Sequence, residues 1–291
     1  MRLVMFEHAG DARVGVLRDR EVIDLREAWG RGAAPPSLPA LFAAGPAAID
    51  QARAAAEHAP EAAQRSQDAI RLLAPLPRPP KLLCVGLNYR DHAEETGQPL
   101  PKVPIFFTKA PTSVIGPGMP IILPVDSAQV DYEAELAVVI GTRCRRVDVD
   151  KAPDVIAGYT ILNDVSARDW QLRTSQWFIG KSFDTFAPMG PAVVTPNEVR
   201  DPHVLDISLR VNGREMQRSN TRHLIFGVSE LVAELSRVMT LEPGDVIATG
   251  TPGGVGFIRK PPVFLQPGDI VEITISGIGS LQNPVIAETA R

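Results

Sequence analysis

The sequence is poor in cysteine and in histidine, and each shortage argues against a class of protein. Two cysteines, Cys84 and Cys144, are too few for a disulfide scaffold. Both lie in apolar, strand-like runs, so we expect buried free thiols in a reducing compartment, although one disulfide is an open alternative. The five histidines are not paired at the spacing of zinc ligands, so a zinc site is disfavoured.

The chain also lacks a surplus of positive charge and any long apolar run. Its net charge of −4 gives no reason to expect nucleic acid or an anionic membrane as a partner. No apolar run reaches the length that spans a membrane, and the apolar run at the N-terminus is too short for a signal peptide. With 44% hydrophobic and 22% charged residues, we expect a globular cytoplasmic protein.

A proline-rich segment divides the sequence into two unequal parts. Four of the six residues at 75–80 are prolines, which neither a helix nor a central strand accommodates, so the segment is interpreted as an extended connector. We therefore predict a small N-terminal α+β domain at 1–74 and a larger domain at 75–291. The alternative is a proline-rich surface loop within a single domain.

Short strand-like runs separated by Pro/Gly turns dominate the larger part, which predicts a β-rich α+β sandwich or barrel. The predicted strands are 2–6, 13–17, 22–25, 81–86, 105–108, 121–123, 130–140, 157–162, 192–195, 206–212, 245–249 and 270–276. The predicted helices are 38–42, 47–58, 167–174 and 229–239, with a short helical turn at 87–97 that ends at Gly97.

Two glutamates stand out in the predicted strand 130–140. Side chains alternate along a strand, so Glu133 and Glu135 project to the same side, and such a carboxylate pair suits a hard divalent cation. Asp164, which follows the strand 157–162, is either a third ligand or the N-cap of the next helix. Together the three acids would suit Mg²⁺, Mn²⁺ or Ca²⁺. The alternative is an edge strand whose two glutamates are simply solvated.

Polar residues in otherwise apolar surroundings form a second group of candidates. Arg168 and Gln171 lie one helical turn apart and suit a substrate carboxylate and carbonyl, respectively. Lys181 is suited to stabilising an enolate near a metal, unless it extends to solvent. His92 and Glu95 are three residues apart, as in a general-base dyad, although such pairs are also common surface contacts.

A glycine-rich loop at 248–257 follows a predicted strand. It lacks the Lys-Ser/Thr of a P-loop and does not fit GxGxxG, so nucleotide binding is disfavoured. Its backbone N–H groups and Thr251 would instead lie close to a small anionic ligand.

These segments, taken together and in this order, resemble the fumarylacetoacetate hydrolase family. The resemblance covers about residues 80 to 285 and rests on five motifs. They are Val85-Gly86-Leu87-Asn88-Tyr89 with His92 and Glu95, Asp131-Tyr132-Glu133-Ala134-Glu135-Leu136, Asn163-Asp164-Val165-Ser166-Ala167-Arg168-Asp169, Gly180-Lys181-Ser182-Phe183-Asp184-Thr185-Phe186 and Thr249-Gly250-Thr251-Pro252-Gly253-Gly254-Val255-Gly256.

The resemblance implies a mixed β-sandwich roll preceded by a small N-terminal α+β domain, and homodimers are common in the family. It implies a Mg²⁺ or Mn²⁺ site, with Ca²⁺ possible in a crystal, and a lid at 87–100 that closes over the substrate. The implied residues are Glu133, Glu135 and Asp164 as metal ligands, His92, Glu95 and Lys181 as catalytic groups, and Arg168, Gln171, Gly250 and Thr251 as substrate contacts.

The family includes several reactions on 2-oxo acids. We expect a metal-dependent hydrolase that cleaves a C–C bond in an acylpyruvate-type substrate, with water activated by His92 and Glu95. The alternatives are a 2-oxo acid decarboxylase, an isomerase of a 2-hydroxy-dienedioate, and a catalytically silent small-molecule binder. We expect the lid tip at 98–102 and the loop at 173–177 to select the substrate's tail.

Overall fold

The computed structural model describes residues 1–30 and 34–289 of the chain. Its strands are β1 Arg2–His8, β2 Asp11–Arg18, β3 Glu21–Asp24, β4 Gln64–Ser66, β5 Arg71–Leu73, β6 Leu82–Gly86, β7 Ile105–Thr108, β8 Val114–Ile115, β9 Ile121–Leu123, β10 Val130–Asp131, β11 Ala134–Ile140, β12 Ile156–Asn163, β13 Ser166–Ala167, β14 Ala187–Val194, β15 Asp206–Val211, β16 Arg214–Asn220, β17 Val246–Ala248, β18 Ile270–Ile275 and β19 Gly279–Ala287. Its α-helices are α1 Leu25–Ala28, α2 Leu38–Ala43, α3 Pro46–Glu57, α4 Arg90–Thr96, α5 Arg168–Gln171, α6 Phe178–Lys181 and α7 Val228–Val238.

Two large sheets build the molecule. The larger runs in the order β4-β3-β2-β1-β14-β12-β11-β17-β6-β7, with β5 paired to β1 and β8 paired to β14. The smaller has the order β16-β15-β18-β19-β9. The largest apolar cluster contains residues of both, such as Leu136 of β11 and Ile273 of β18. The β-rich α+β class predicted from the sequence is therefore confirmed.

The N-terminal region shares its sheet with the rest of the chain. Strand β1 pairs antiparallel with β14, with Arg2 opposite Val194. One apolar cluster also joins Leu3 and Leu41 of this region to Val139 and Val246 beyond the connector. Residues 1–74 are thus anchored by backbone pairing as well as by side-chain packing. The domain boundary placed at 75–80 stays a prediction.

Strand β11 is an interior strand of the larger sheet. It pairs with β12 on one side and β17 on the other, and all seven of its residues are buried. Leu136 and Val138 face one apolar cluster, whereas Ala137 and Val139 face another, because side chains alternate along a strand. The edge-strand alternative for the glutamates is therefore wrong.

The predicted strand 130–140 is interrupted at Tyr132 and Glu133. The backbone N–H of Tyr132 donates to the side chain of Asp131, and that of Glu133 donates to Asn163 Oδ1 at 3.0 Å. These side-chain acceptors replace ladder partners, so β10 pairs with β13 while β11 pairs with β12. The prediction of one continuous strand was wrong at this point.

Other differences concern the lengths of predicted elements and strands that were not predicted. The helix predicted at 167–174 is only the single turn α5, and the strand predicted at 192–195 is the longer β14. Strands β16 and β19 were not predicted, since one is rich in charged and polar residues and the other contains glycine and proline. Both cysteines are free, but Cys144 is half-buried rather than buried. None of the α-helices in the described part of the chain combines the length and the apolar character of a membrane span.

Candidate active site

Three carboxylates meet where β11 begins and β12 ends. The antiparallel register places Ala134 opposite Asn163, and the N–H of Asp164 donates to the carbonyl of Glu133 at 2.9 Å. The pairing therefore brings Asp164 to Glu133 and Glu135. Their ligand oxygens all lie within 4.8 Å of one another. Glu133 is 6% exposed, whereas Glu135 and Asp164 are 1% and 0% exposed.

Two buried lysines contact these carboxylates. Lys181 Nζ donates to Glu133 Oε2 at 2.9 Å and to Asp164 Oδ2 at 2.7 Å. Lys109 Nζ donates to Asp164 Oδ1 at 2.5 Å and to the carbonyl of Val165 at 2.9 Å. Because Lys181 is 2% exposed, the alternative that it extends to solvent is wrong. Lys109 was missed, although a lysine directly after the apolar strand β7 was a visible signal.

Arg168 completes the positive side of the cluster. Its Nη2 lies 2.7 Å from Glu133 Oε1 and 2.9 Å from Asp131 Oδ2, and its Nη1 donates to Gln171 Oε1 at 3.0 Å. Asp131 also accepts the N–H groups of Gly256 and Phe257, which ties the glycine loop to the arginine. Asp131 was missed as a site residue. Its signal was the period of two that links residues 131, 133 and 135.

Charge in this cluster is nearly balanced. Four buried carboxylates face three buried cations, which leaves one negative charge. Burial raises the pKa of Glu133, but Lys181 and Arg168 outweigh it and hold that pKa at about 2. Burial and the neighbouring Asp164 and Glu133 raise the pKa of Glu135 well above its usual value. Burial lowers the pKa of Lys181, but Asp164 and Glu133 outweigh that effect and raise it, so the lysine stays charged.

The donor set fits a hard divalent cation. All three clustered groups are carboxylates, the ligands that Mg²⁺ and Mn²⁺ prefer. A divalent ion would also offset the residual negative charge and the repulsion from Asp164 and Glu133 that helps to raise the pKa of Glu135. These residues therefore fit the metal that the sequence predicts.

Helix α4 carries the two residues of the predicted dyad. His92 Nδ1 lies 3.1 Å from Glu95 Oε1, and Glu95 Oε2 accepts the N–H of Gly254 at 2.7 Å. Asp91 accepts the hydroxyl of Ser219 and the N–H of Gly253. Two carboxylates of this helix thus hold it against the glycine loop. The hydrogen bond from Gly254 to Glu95 Oε2 leaves Glu95 Oε1 in contact with His92, so Glu95 both anchors the helix and orients the imidazole.

One cavity of about 200 Å³ connects these groups. Six predicted site residues line it: His92, Glu133, Arg168, Gln171, Lys181 and Thr251. Thr251 is held by Gln217, whose amide donates to the threonine hydroxyl at 2.8 Å. Gly250 contacts the acidic cluster instead: its backbone N–H donates to Glu135 Oε2 at 2.8 Å. Its φ of +100° and the 2.8 Å between a built Cβ and Asn88 require glycine there.

Similar proteins are known both by sequence and by structure. The mitochondrial oxaloacetate tautomerase of Xenopus laevis is 45% identical over 98% of this chain and 90% of its own. A fumarylacetoacetate hydrolase from Exiguobacterium antarcticum superposes with a TM-score of 0.86 at 41% identity, covering 99% of this chain and 100% of its own. A maleylpyruvate hydrolase from Sphingobium sp. SYK-6, solved with manganese(II) and pyruvate, gives 0.81 at 33%, with the same coverages.

The sequence family described as "Fumarylacetoacetate (FAA) hydrolase C-terminal" matches residues 81–286. This match spans the acidic cluster, both lysines, α4 and the glycine loop. The resemblance and the fold expected from the sequence are thereby confirmed. The chain belongs to the fumarylacetoacetate hydrolase family.

Proposed function

We propose that this chain is a divalent-metal-dependent tautomerase that interconverts the enol and keto forms of oxaloacetate or a similarly small 2-oxo acid. The observation that carries the proposal is that His92, Lys181 and Glu133 line the same cavity. A base and an enolate-stabilising cation therefore face the same substrate. The name of the Xenopus laevis relative, which matches almost the whole chain, supplies the substrate.

Glu133, Glu135 and Asp164 would hold the metal, for which Mg²⁺ or Mn²⁺ is the candidate. When bound, such an ion acts as a Lewis acid that stabilises negative charge on the oxygens of a 2-oxo carboxylate. Of these three carboxylates, Glu133 is the one that lines the cavity. Other side chains of the protein would carry out the proton transfer and stabilise the enolate.

His92 is placed to move the proton. A carboxylate accepts hydrogen bonds, so the contact with Glu95 fixes the proton of the neutral imidazole on Nδ1 and leaves a lone pair on Nε2. This lone pair takes a proton from C3 of the keto acid, and the C–H electron pair forms the C2=C3 bond. The carbonyl π pair moves to the 2-oxo oxygen, which takes the proton now held on Nε2 to give the enol, and the reverse sequence returns the ketone.

Lys181 is placed to stabilise the enolate oxygen. An ammonium group has three N–H donors, and Glu133 and Asp164 use two of them. The third is available to a substrate oxygen in the cavity that the lysine lines. Because its neighbours raise the pKa of Lys181, it acts as a charged donor rather than as an amine nucleophile.

The size of the cavity favours a small acid. At about 200 Å³, it is smaller than the roughly 300–1,000 Å³ of pockets that hold drug-sized ligands. A four-carbon oxo acid suits this space better than a long-chain acylpyruvate. Apolar side chains such as Phe107 and Trp177 form part of its wall.

C–C hydrolysis of a short acylpyruvate is the second candidate, and the His92–Glu95 contact favours it too. In that reaction the imidazole would take its proton from water, and the hydroxide would attack the acyl carbonyl. The maleylpyruvate hydrolase neighbour, solved with manganese(II) and pyruvate, supports this alternative. The cytoplasmic location and the homodimer stay predictions. The Xenopus relative is named as mitochondrial.

Absorbance of the oxaloacetate enol tests the proposal. We expect the protein with Mn²⁺ to accelerate loss of the enol well beyond Mn²⁺ alone, and EDTA to abolish the effect. His92→Gln should remove most of the activity, whereas Glu94→Gln should not, because the neighbouring Glu94 is exposed. If the enol decays at the rate of the metal control while acetylpyruvate is cleaved, hydrolysis replaces tautomerisation. Activity on neither substrate would refute both.

A further inference from the structure

We propose that Trp177 determines substrate specificity, because its indole forms an apolar wall of the cavity that restricts substrates to 2-oxo acids with a short tail. This inference rests on the proposed function and concerns the same site. It follows from how Gly86, Phe107 and α6 fix the indole beside Lys181.

Gly86, at the end of β6, provides the surface on which the indole lies. A Cβ built at this glycine would be 2.4 Å from Trp177 Cζ3 and 2.9 Å from Cη2, far inside contact distance. Any larger residue at position 86 would displace the indole. Close contact with bare backbone also means that the tryptophan has no room to retreat towards β6 when a larger substrate enters.

Phe107 continues the wall towards Lys181. Its ring meets the indole edge-to-face, with centroids 5.4 Å apart and an interplanar angle of 73°. Lys181 Nζ lies 5.1 Å from the centroid of the same phenylalanine ring. Gly86, Phe107, Trp177 and Lys181 all line the cavity. The apolar wall therefore begins beside the ammonium group that would hold the 2-oxo oxygen.

The chain segment that carries Trp177 also carries Lys181. Trp177 is the N-cap of α6, and Lys181 is the last residue of this four-residue helix. Gly180 packs against the backbone of Gln171, where a built Cβ would lie 2.3 Å from the amide nitrogen. The helix is thus held against α5, and the wall has a fixed position relative to the lysine.

This arrangement limits the group attached to C3 of the substrate. With the 2-oxo oxygen at Lys181, an extended or branched tail would meet the Phe107–Trp177 wall. A short tail, such as the one-carbon arm of oxaloacetate, would avoid it. Truncating the indole would open the cavity and admit a bulky apolar tail.

The test compares the enol forms of oxaloacetate and phenylpyruvate as substrates of the wild type, Trp177→Ala and Trp177→Leu. We expect the kcat/KM ratio of phenylpyruvate to oxaloacetate to rise about tenfold or more in Trp177→Ala, mainly through KM. Trp177→Leu, which keeps more of the volume, should give a smaller rise. Phe178→Ala is the matched control, since this exposed neighbour lies on the same helix and should leave the ratio unchanged.

The outcomes separate this inference from the proposed function. An unchanged ratio in a Trp177 variant that still tautomerises oxaloacetate would overturn the role of Trp177 and leave the proposed function intact. A wild type inactive on both enols would overturn the proposed function and this inference with it. If Trp177→Ala does not fold, the ratio in Trp177→Leu decides.

Discussion

Replacing Lys109 by methionine should destabilise the protein in the absence of divalent metal and increase the stabilisation that the metal provides. Lys109 is 1% exposed, and its ammonium group contacts Asp164 and the carbonyl of Val165. Burial lowers the pKa of this lysine, but Asp164 opposes that effect. Methionine retains most of the aliphatic stem and loses the charge.

The expected loss of stability follows from the contacts of Lys109 with Asp164 and Val165. Removing one partner of a buried ion pair costs about 3–5 kcal/mol, because the other charge stays buried. Lys181, which contacts Asp164 at 2.7 Å, is retained in the variant, so the lower end applies. About 3 kcal/mol corresponds to a fall in Tm of about 5 °C for a chain of this size.

Thermal unfolding with EDTA and with Mn²⁺ measures both effects. Loss of Lys109 leaves the carboxylate cluster with one more uncompensated negative charge, so Mn²⁺ should raise the Tm of the variant more than that of the wild type. Lys151→Met is the matched control, since Lys151 is exposed, and its Tm should differ little. A variant with wild-type Tm in EDTA, or with a smaller response to Mn²⁺, would refute this account of the cluster.

Three further predictions concern the same site. Asp164→Asn should abolish Mn²⁺ binding measured by calorimetry, because the substitution removes a carboxylate ligand. If the variant bound Mn²⁺ with wild-type affinity, Asp164 would be excluded as a ligand. Burial and the acidic neighbours of Glu135 raise its pKa and so favour the protonated carboxyl, whereas a metal ligand must be ionised; Mn²⁺ affinity should therefore rise with pH. Titrations in buffers of different ionisation enthalpy should show proton release, and its absence would contradict this. Asp91→Asn should weaken the contacts of α4 with Ser219 and Gly253 and lower kcat/KM about tenfold. In limited proteolysis, a protease should cut the segment 87–100 faster in this variant than in the wild type.

Features that depend on a local pattern were predictable from the sequence. The alternation in 130–140 placed Glu133 and Glu135 together, and the helical spacing of His92 and Glu95 matches their 3.1 Å contact. The capping of α4 by Gly97, with φ of +66°, also follows from residue type. These signals need no knowledge of distant segments.

Features that depend on distant segments were not predictable in the same way. Lys109 contacts Asp164 across 55 positions of sequence, and Arg168 reaches Asp131 across 37. The pairing of β1 with β14 joins residues almost two hundred positions apart, so no local pattern reveals that the two parts share a sheet. The interruption at Glu133 likewise depends on Asn163, which approaches through the β11–β12 register.

Exchange of the C3 protons of oxaloacetate in D₂O, followed by proton NMR, tests the central claim most directly. The account predicts that the protein with Mn²⁺ accelerates exchange above the rate with free Mn²⁺, and that His92→Gln loses this acceleration while still binding the metal. Exchange that is as fast in His92→Gln as in the wild type, or no faster with the protein than with Mn²⁺ alone, would contradict it.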